Sequence, residues 1–154
     1  MAIRNDAEYE RGLELLRRLH GGAAGEQLVS SLQEICPDFA TMTIEWALAG
    51  IMGRPGLDLL TREFLLIGAC VTLGHAVPQL KAHIEAALKL GASKAQIVEV
   101  ILQMLFYAGG AATSNALCTA QAVFDCRHQG DDSACHCATA ARRPAPPSAA
   151  QEDR

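Results

Sequence analysis

Glu63 and His83 stand twenty residues apart in the stretch "TREFLLIGACVTLGHAVPQLKAH", on either side of a break set by Gly74 and Pro78. A carboxylate and an imidazole are the pair most often used for general acid and base work near neutral pH. On a helix, Glu63 shares a stripe with Leu59, Leu66, Ile67 and Cys70, so its carboxylate is expected to be desolvated. Burial of that kind raises a carboxyl pKa unless a donor or a positive charge offsets it. His83 lies among Leu80, Ile84 and Ala87, at the edge of the next apolar face. The break is short enough to turn the two helices antiparallel, which lets both groups face one cleft. Arg54 and Arg62 are the nearby candidates for holding an anion, because a guanidinium matches carboxylate geometry. Trp46 and Tyr107 are candidate pocket walls, and His75 is read as an exposed residue of the interhelix turn.

The elements that must position these groups are helical throughout. "AEYERGLELLRRLHG" puts Leu13, Leu16 and Leu19 on one side and stops at Gly21 and Gly22. A short helical piece, "EQLVSSLQEI", precedes a helix from Pro37 and Asp38 to Gly53 and Pro55, with Phe39, Met42, Trp46 and Ile51 as apolar surface. Asp58 caps the helix of Glu63, and Pro78 opens the helix of His83, which ends at Leu90 before Gly91. Ser93 and Gln96 have capping-box spacing and start "SKAQIVEVILQMLFYAGG"; "ATSNALCTAQAVFDC" is the last helix. No segment alternates at period two, so the expected fold class is all-α, a single-domain helical bundle. Residues 1–125 are read as that domain. Residues 126–154 are read as a Cys- and His-containing segment followed by a disordered Pro/Ala-rich tail. The helix "IVEVILQMLFYAGG" is apolar on nearly every side, which favours an obligate oligomer.

Composition narrows the function classes. The chain has 154 residues, half of them hydrophobic, enough for one domain with a true core. With 13 Lys+Arg against 17 Asp+Glu it has no basic excess to attract phosphate backbones, so no nucleic-acid partner is expected. The N-terminus is charged, and the longest apolar run is far short of the roughly 20 residues of a membrane helix, so a soluble, cytoplasmic protein is expected, with no membrane partner. Cys36, Cys70 and Cys118 are read as reduced, buried thiols. Cys126, Cys135, Cys137, His128 and His136 fall in "CRHQGDDSACHC", whose spacing fits neither a CxxC pair nor a standard zinc pattern; no metal site is assigned there.

The opening "YERGLELLRRLHG" and the block "GRPGLDLLTREFLLIGACVTLGHAVPQLKAHIEAALKLGASKAQIVEVILQMLFYAGG" resemble the carboxymuconolactone decarboxylase family over most of Glu8 to Phe124. The resemblance implies a helical fold, a homotrimer or a hexamer of paired trimers, and active sites near subunit contacts. In the related alkylhydroperoxidase D-like proteins a CxxC pair stands between a glutamate and a histidine at similar spacing; here those positions look like Ala76 and Gln79, so the thiol-disulfide reading loses its parts. Two departures from the family pattern, Met52-Gly53 in the tryptophan region and Ala111 after the Tyr-x-Gly motif, would reshape a pocket.

The family's reaction needs no cofactor, because a conjugated lactone accepts the electrons released with CO2 and is then protonated. That implies proton delivery by His83, orientation of His83 by Glu63, and an anionic small-molecule substrate held by Arg54 and Arg62. The alternatives are a related isomerase, cyclase or decarboxylase of a specialised biosynthetic route, or a helical oligomer that binds without turnover.

Overall fold

The computed structural model describes residues 5–128, and no strand occurs among them. Helix α1 (Asp6–His20) begins where the Asn5 side chain accepts the Glu8 N–H and ends at Gly21. Helix α2 (Ala24–Ile35) has no side-chain cap at Ala23; instead the Glu26 carboxylate accepts the N–H of Gly22 at 2.8 Å. Pro37 opens α3 (Pro37–Met42), which runs without a gap into a π-helical segment, Thr43–Met52. Helices α4 (Leu59–Leu73) and α5 (Val77–Lys89) follow, joined by a turn in which Gly74 takes φ 73°, a left-handed conformation open to glycine at little cost. Helix α6 (Lys94–Gln103) starts with the complete capping box of Ser93 and Gln96. Helix α7 (Leu105–His128) is kinked at Gly109, whose φ 76° and ψ 169° are not helical.

Two apolar cores share these elements. The larger joins α4 to α7 through Ile67, Val71, Ile84, Ile97, Ile101 and Val123, all nearly inaccessible to solvent. The smaller packs Leu16 and Leu19 of α1 on Leu48 and Met52 of the π-helical segment and Ala86 of α5. Close approach of α1 to the π-helical segment depends on Gly12, where a Cβ would stand 2.1 Å from the carbonyl oxygen of Ile44. Lys89 of α5 donates to the carbonyls of Arg17 and Gly21, which ties the end of α1 to α5. A cation there also suits the negative end of the helix dipole.

Several expectations are corrected by this architecture. The helix expected from Pro37 to Gly53 is not uniform: from Thr43 it widens, and the Gly53 N–H reaches back five residues to the carbonyl of Leu48 at 2.9 Å. The helix expected from Ser93 through Gly110 breaks at Met104. Of the three thiols read as buried, Cys70 is, whereas Cys36 and Cys118 are exposed. Phe39, Met42 and Trp46 are more than half exposed, as are Phe106 and Tyr107. Cys126, for which no pairing was expected, is disulfide-bonded. Cys135, His136, Cys137 and the tail from Ala138 lie outside the described residues. No helix among the described residues is long and apolar enough to cross a membrane.

Candidate active site

Glu63 is carried by the second turn of α4, whose start is set by Asp58 accepting the Thr61 N–H at 2.9 Å and the Thr61 hydroxyl at 2.6 Å. His83 lies midway along α5. The tight turn between the helices brings the two faces together, and Nδ1 of His83 lies 2.8 Å from Oε2 of Glu63. Glu63 is wholly buried, while a fifth of the His83 side chain stays exposed. An Nδ1–H that donates to the carboxylate leaves Nε2 as the ring's second site for a proton or a ligand.

A third ionisable group completes the cluster, and the sequence reading did not single it out. His20, at the last position of α1, is 6% exposed, and its ring meets that of His83 edge-on at a centroid distance of 6.1 Å. Gly25 makes room for it, since a Cβ at that position would stand 2.5 Å from the His20 ring. Burial, reinforced by the charges of His83 and Lys89, pushes the His20 pKa from 6.5 down to about 4. Two polar atoms in the cluster, Oε1 of Glu63 and Nδ1 of His20, are buried without a hydrogen-bond partner among the described residues. A signal for His20 existed in the sequence, as a histidine following Leu16 and Leu19 at helical spacing.

All three groups line one cavity of about 310 Å3. Its other walls are mainly apolar and come from α1, α2, the π-helical segment, α4 and α5; Trp46, Ile51, Met52 and Leu66 are among them. The π-helical winding matters here. It offsets the side-chain phase along the segment, so that Thr43, Trp46, Ala47, Leu48, Ile51 and Met52 all reach this cavity.

Of the remaining expected site residues, only Trp46 lies on this cavity. Trp46 lines the cavity yet is 68% exposed. Arg54 lines a neighbouring hollow of about 500 Å3, which shares Met52 with the His83 cavity and also includes Arg18 and Asp58. The Arg62 guanidinium donates to the carbonyls of Arg54 and Leu57, and so braces the loop between the π-helical segment and α4. Tyr107 is 85% exposed and lies outside the cavity lining. His75 is exposed, with Nδ1 2.8 Å from the carbonyl oxygen of Leu73. Cys70 is buried, and its thiol pKa is raised by burial and then by the charge of Glu63, which makes it a poor nucleophile.

Fold and site together define a helical protein whose central helix pair carries a buried carboxylate–imidazole couple beside an apolar cavity. The chain belongs to the carboxymuconolactone decarboxylase family, whose sequence model matches residues 37–122. It is 28% identical over 122 residues to the 4-carboxymuconolactone decarboxylase of Acinetobacter baylyi, an overlap of 79% of this chain and 90% of that protein. It is 36% identical over 95 residues to an uncharacterized 15.0 kDa protein from the nqo9-nqo10 intergenic region of Paracoccus denitrificans, covering 61% of this chain and 71% of that one. Glu63 and His83 fall inside the family match, whereas His20 and Gly25 precede it.

Proposed function

We propose that the protein is a cofactor-independent acid/base enzyme of the decarboxylase type, acting on a conjugated lactone or carboxylic acid. The observation that carries this reading is the 2.8 Å contact between His83 and Glu63 on the wall of an apolar cavity. A pair serving only as packing would have no reason to border space large enough for a small molecule. In the reaction, the electrons of the breaking C–CO2 bond enter the conjugated lactone as a dienolate, and a proton is then added at a distant carbon. The protein supplies that proton and a dry environment for the dienolate. His83 delivers the proton, and Glu63 holds the ring by its Nδ1 edge.

Arg54 is the proposed holder of the substrate carboxylate, with Arg62 fixing the loop that carries it. Among the described residues the walls of the cavity carry no arginine, so carboxylate capture at Arg54 would draw the substrate toward Met52, which both hollows share. Trp46 and Met52 are proposed to set the shape of the pocket. The exposed apolar surface of Phe39, Met42, Leu105, Phe106 and Tyr107 supports assembly as a homo-oligomer, a trimer or a hexamer, in which Tyr107 would approach a site through a neighbouring copy.

Incubating the purified protein with 4-carboxymuconolactone and following CO2 tests the reading directly. Release that is lost in His83→Ala is the expected result. No release from that lactone, with turnover of another conjugated acid, would move the protein to a related isomerase, cyclase or decarboxylase. No turnover of any such compound would sink the enzymatic reading.

A further inference from the structure

We infer that His20, Glu63 and His83 together form a binding site for a divalent transition-metal ion of the zinc type. One ligand atom from each residue lies within 4.8 Å of the other two, and two of the three residues are buried. Two imidazoles and one carboxylate are a donor set suited to zinc and to its first-row neighbours, and three protein donors leave a further position open to water or substrate. The donors come from three different elements, α1, α4 and α5, which fixes them relative to one another more firmly than a loop would.

The second observation is independent of the clustering. Glu63 is 0% exposed, yet its Oε1 has no hydrogen-bond partner among the described residues, and the same is true of Nδ1 of His20, a residue 6% exposed. A buried carboxylate oxygen left without a donor is costly, on the order of 1–3 kcal/mol or more. A cation shared by the cluster removes that cost for Oε1 of Glu63 and gives Nδ1 of His20 a partner at the same time. The geometry needs modest closure. Bonds of about 2.0–2.2 Å at tetrahedral angles place donors roughly 3.3 Å apart; Oε2 of Glu63 and Nδ1 of His83, hydrogen-bonded at 2.8 Å, would open slightly as the proton between them is lost, and edges as wide as 4.8 Å would close by about 1.5 Å, within reach of side-chain rotation. The cavity beside the cluster supplies a way in.

This site does not depend on which reaction the protein catalyses. It does bear on the acid/base reading, because an ion and a proton compete for the same lone pairs of Glu63 and His83. An occupied site would therefore inhibit proton delivery.

The test is equilibrium dialysis of the full chain against zinc chloride, with His20→Ala and Glu63→Gln measured alongside. The wild type is expected to bind one more zinc ion per chain than either variant, or to bind it at least roughly tenfold more tightly. A parallel measurement on the wild type needs no variant to fold: zinc should shift the imidazole 15N resonances of His20 and His83. Shifts confined to the other histidines, or equal stoichiometry and affinity in all three proteins, would overturn the site. Because these measurements read binding, a protein that takes zinc but releases no CO2 fails only the decarboxylase reading, and the reverse result fails only this one.

Discussion

The rings of His20 and His83 meet edge to face, 6.1 Å between centroids and 68° between planes, although one closes the first helix and the other lies in the middle of the fifth. His83 is in turn held by Glu63, so three groups from three helices make one polar island between two apolar cores. Their environments differ: Glu63 is sealed, His20 nearly so, and His83 alone retains substantial exposure.

That difference in exposure supports the proposal that His83 is the proton donor. His83→Ala is expected to lower turnover of a conjugated lactone by roughly 10²–10⁴-fold, the usual contribution of a positioned general acid, while far-UV circular dichroism stays unchanged. Glu63→Gln keeps the size of the side chain but replaces the anionic acceptor that faces Nδ1, so it should lower kcat more than it raises KM. Equal turnover in wild type and His83→Ala would remove His83 from the mechanism.

Acid should loosen the fold through His20. Its pKa is lowered from 6.5 to about 4, so between those values the unfolded chain binds a proton that the folded chain refuses. Stability attributable to this residue is therefore whole above about pH 6.5 and declines as the pH falls toward about 4, a total on the order of 3 kcal/mol. Urea midpoints at pH 7 and pH 4.5, with chelator present, should fall further for wild type than for His20→Leu. Identical drops in the two proteins would contradict the assignment.

The approach of α1 to the π-helical segment predicts a sharp response at Gly12. A methyl group there would meet the backbone of Ile44, which cannot swing aside as a side chain can. Gly12→Ala is expected to cost about 1–3 kcal/mol by urea titration. Gly56→Ala, where nothing lies within 4 Å of the added carbon, is the control expected to stay close to wild type.

Assembly should depend on the apolar surface at the end of α6 and the start of α7. Phe106 is 81% exposed and Tyr107 85% exposed in the single chain, with Leu102 and Leu105 beside them. Sedimentation is expected to give a mass above that of one chain, and Phe106→Glu should shift it downward. A wild type that sediments as a single chain would refute the proposed oligomer.

The sequence by itself determined a great deal of the local structure. Asp58, Ser93 with Gln96, Gly74 and Pro78 mark helix ends through hydrogen bonds and backbone angles confined to a few neighbouring residues, and such signals survive without any knowledge of the fold. That the helices of Glu63 and His83 lie side by side was legible from the tight turn between them, whereas the contact of the two side chains was only a possibility until the helices were packed. Tertiary packing decided the rest. The π-helical winding of Thr43–Met52 follows from how that segment fits over α1 and the cavity, and its apolar residues carry no local mark of it. Arg62 went to backbone carbonyls because the loop it faces presents those of Arg54 and Leu57 within hydrogen-bond distance. His20 entered the site because Lys89 anchors the end of α1 to α5 and Gly25 leaves space for the ring, two contacts between segments far apart in the chain. A periodic pattern reports which face of a helix is apolar, but which polar group will be enclosed opposite it depends on distances that exist only once the helices are packed.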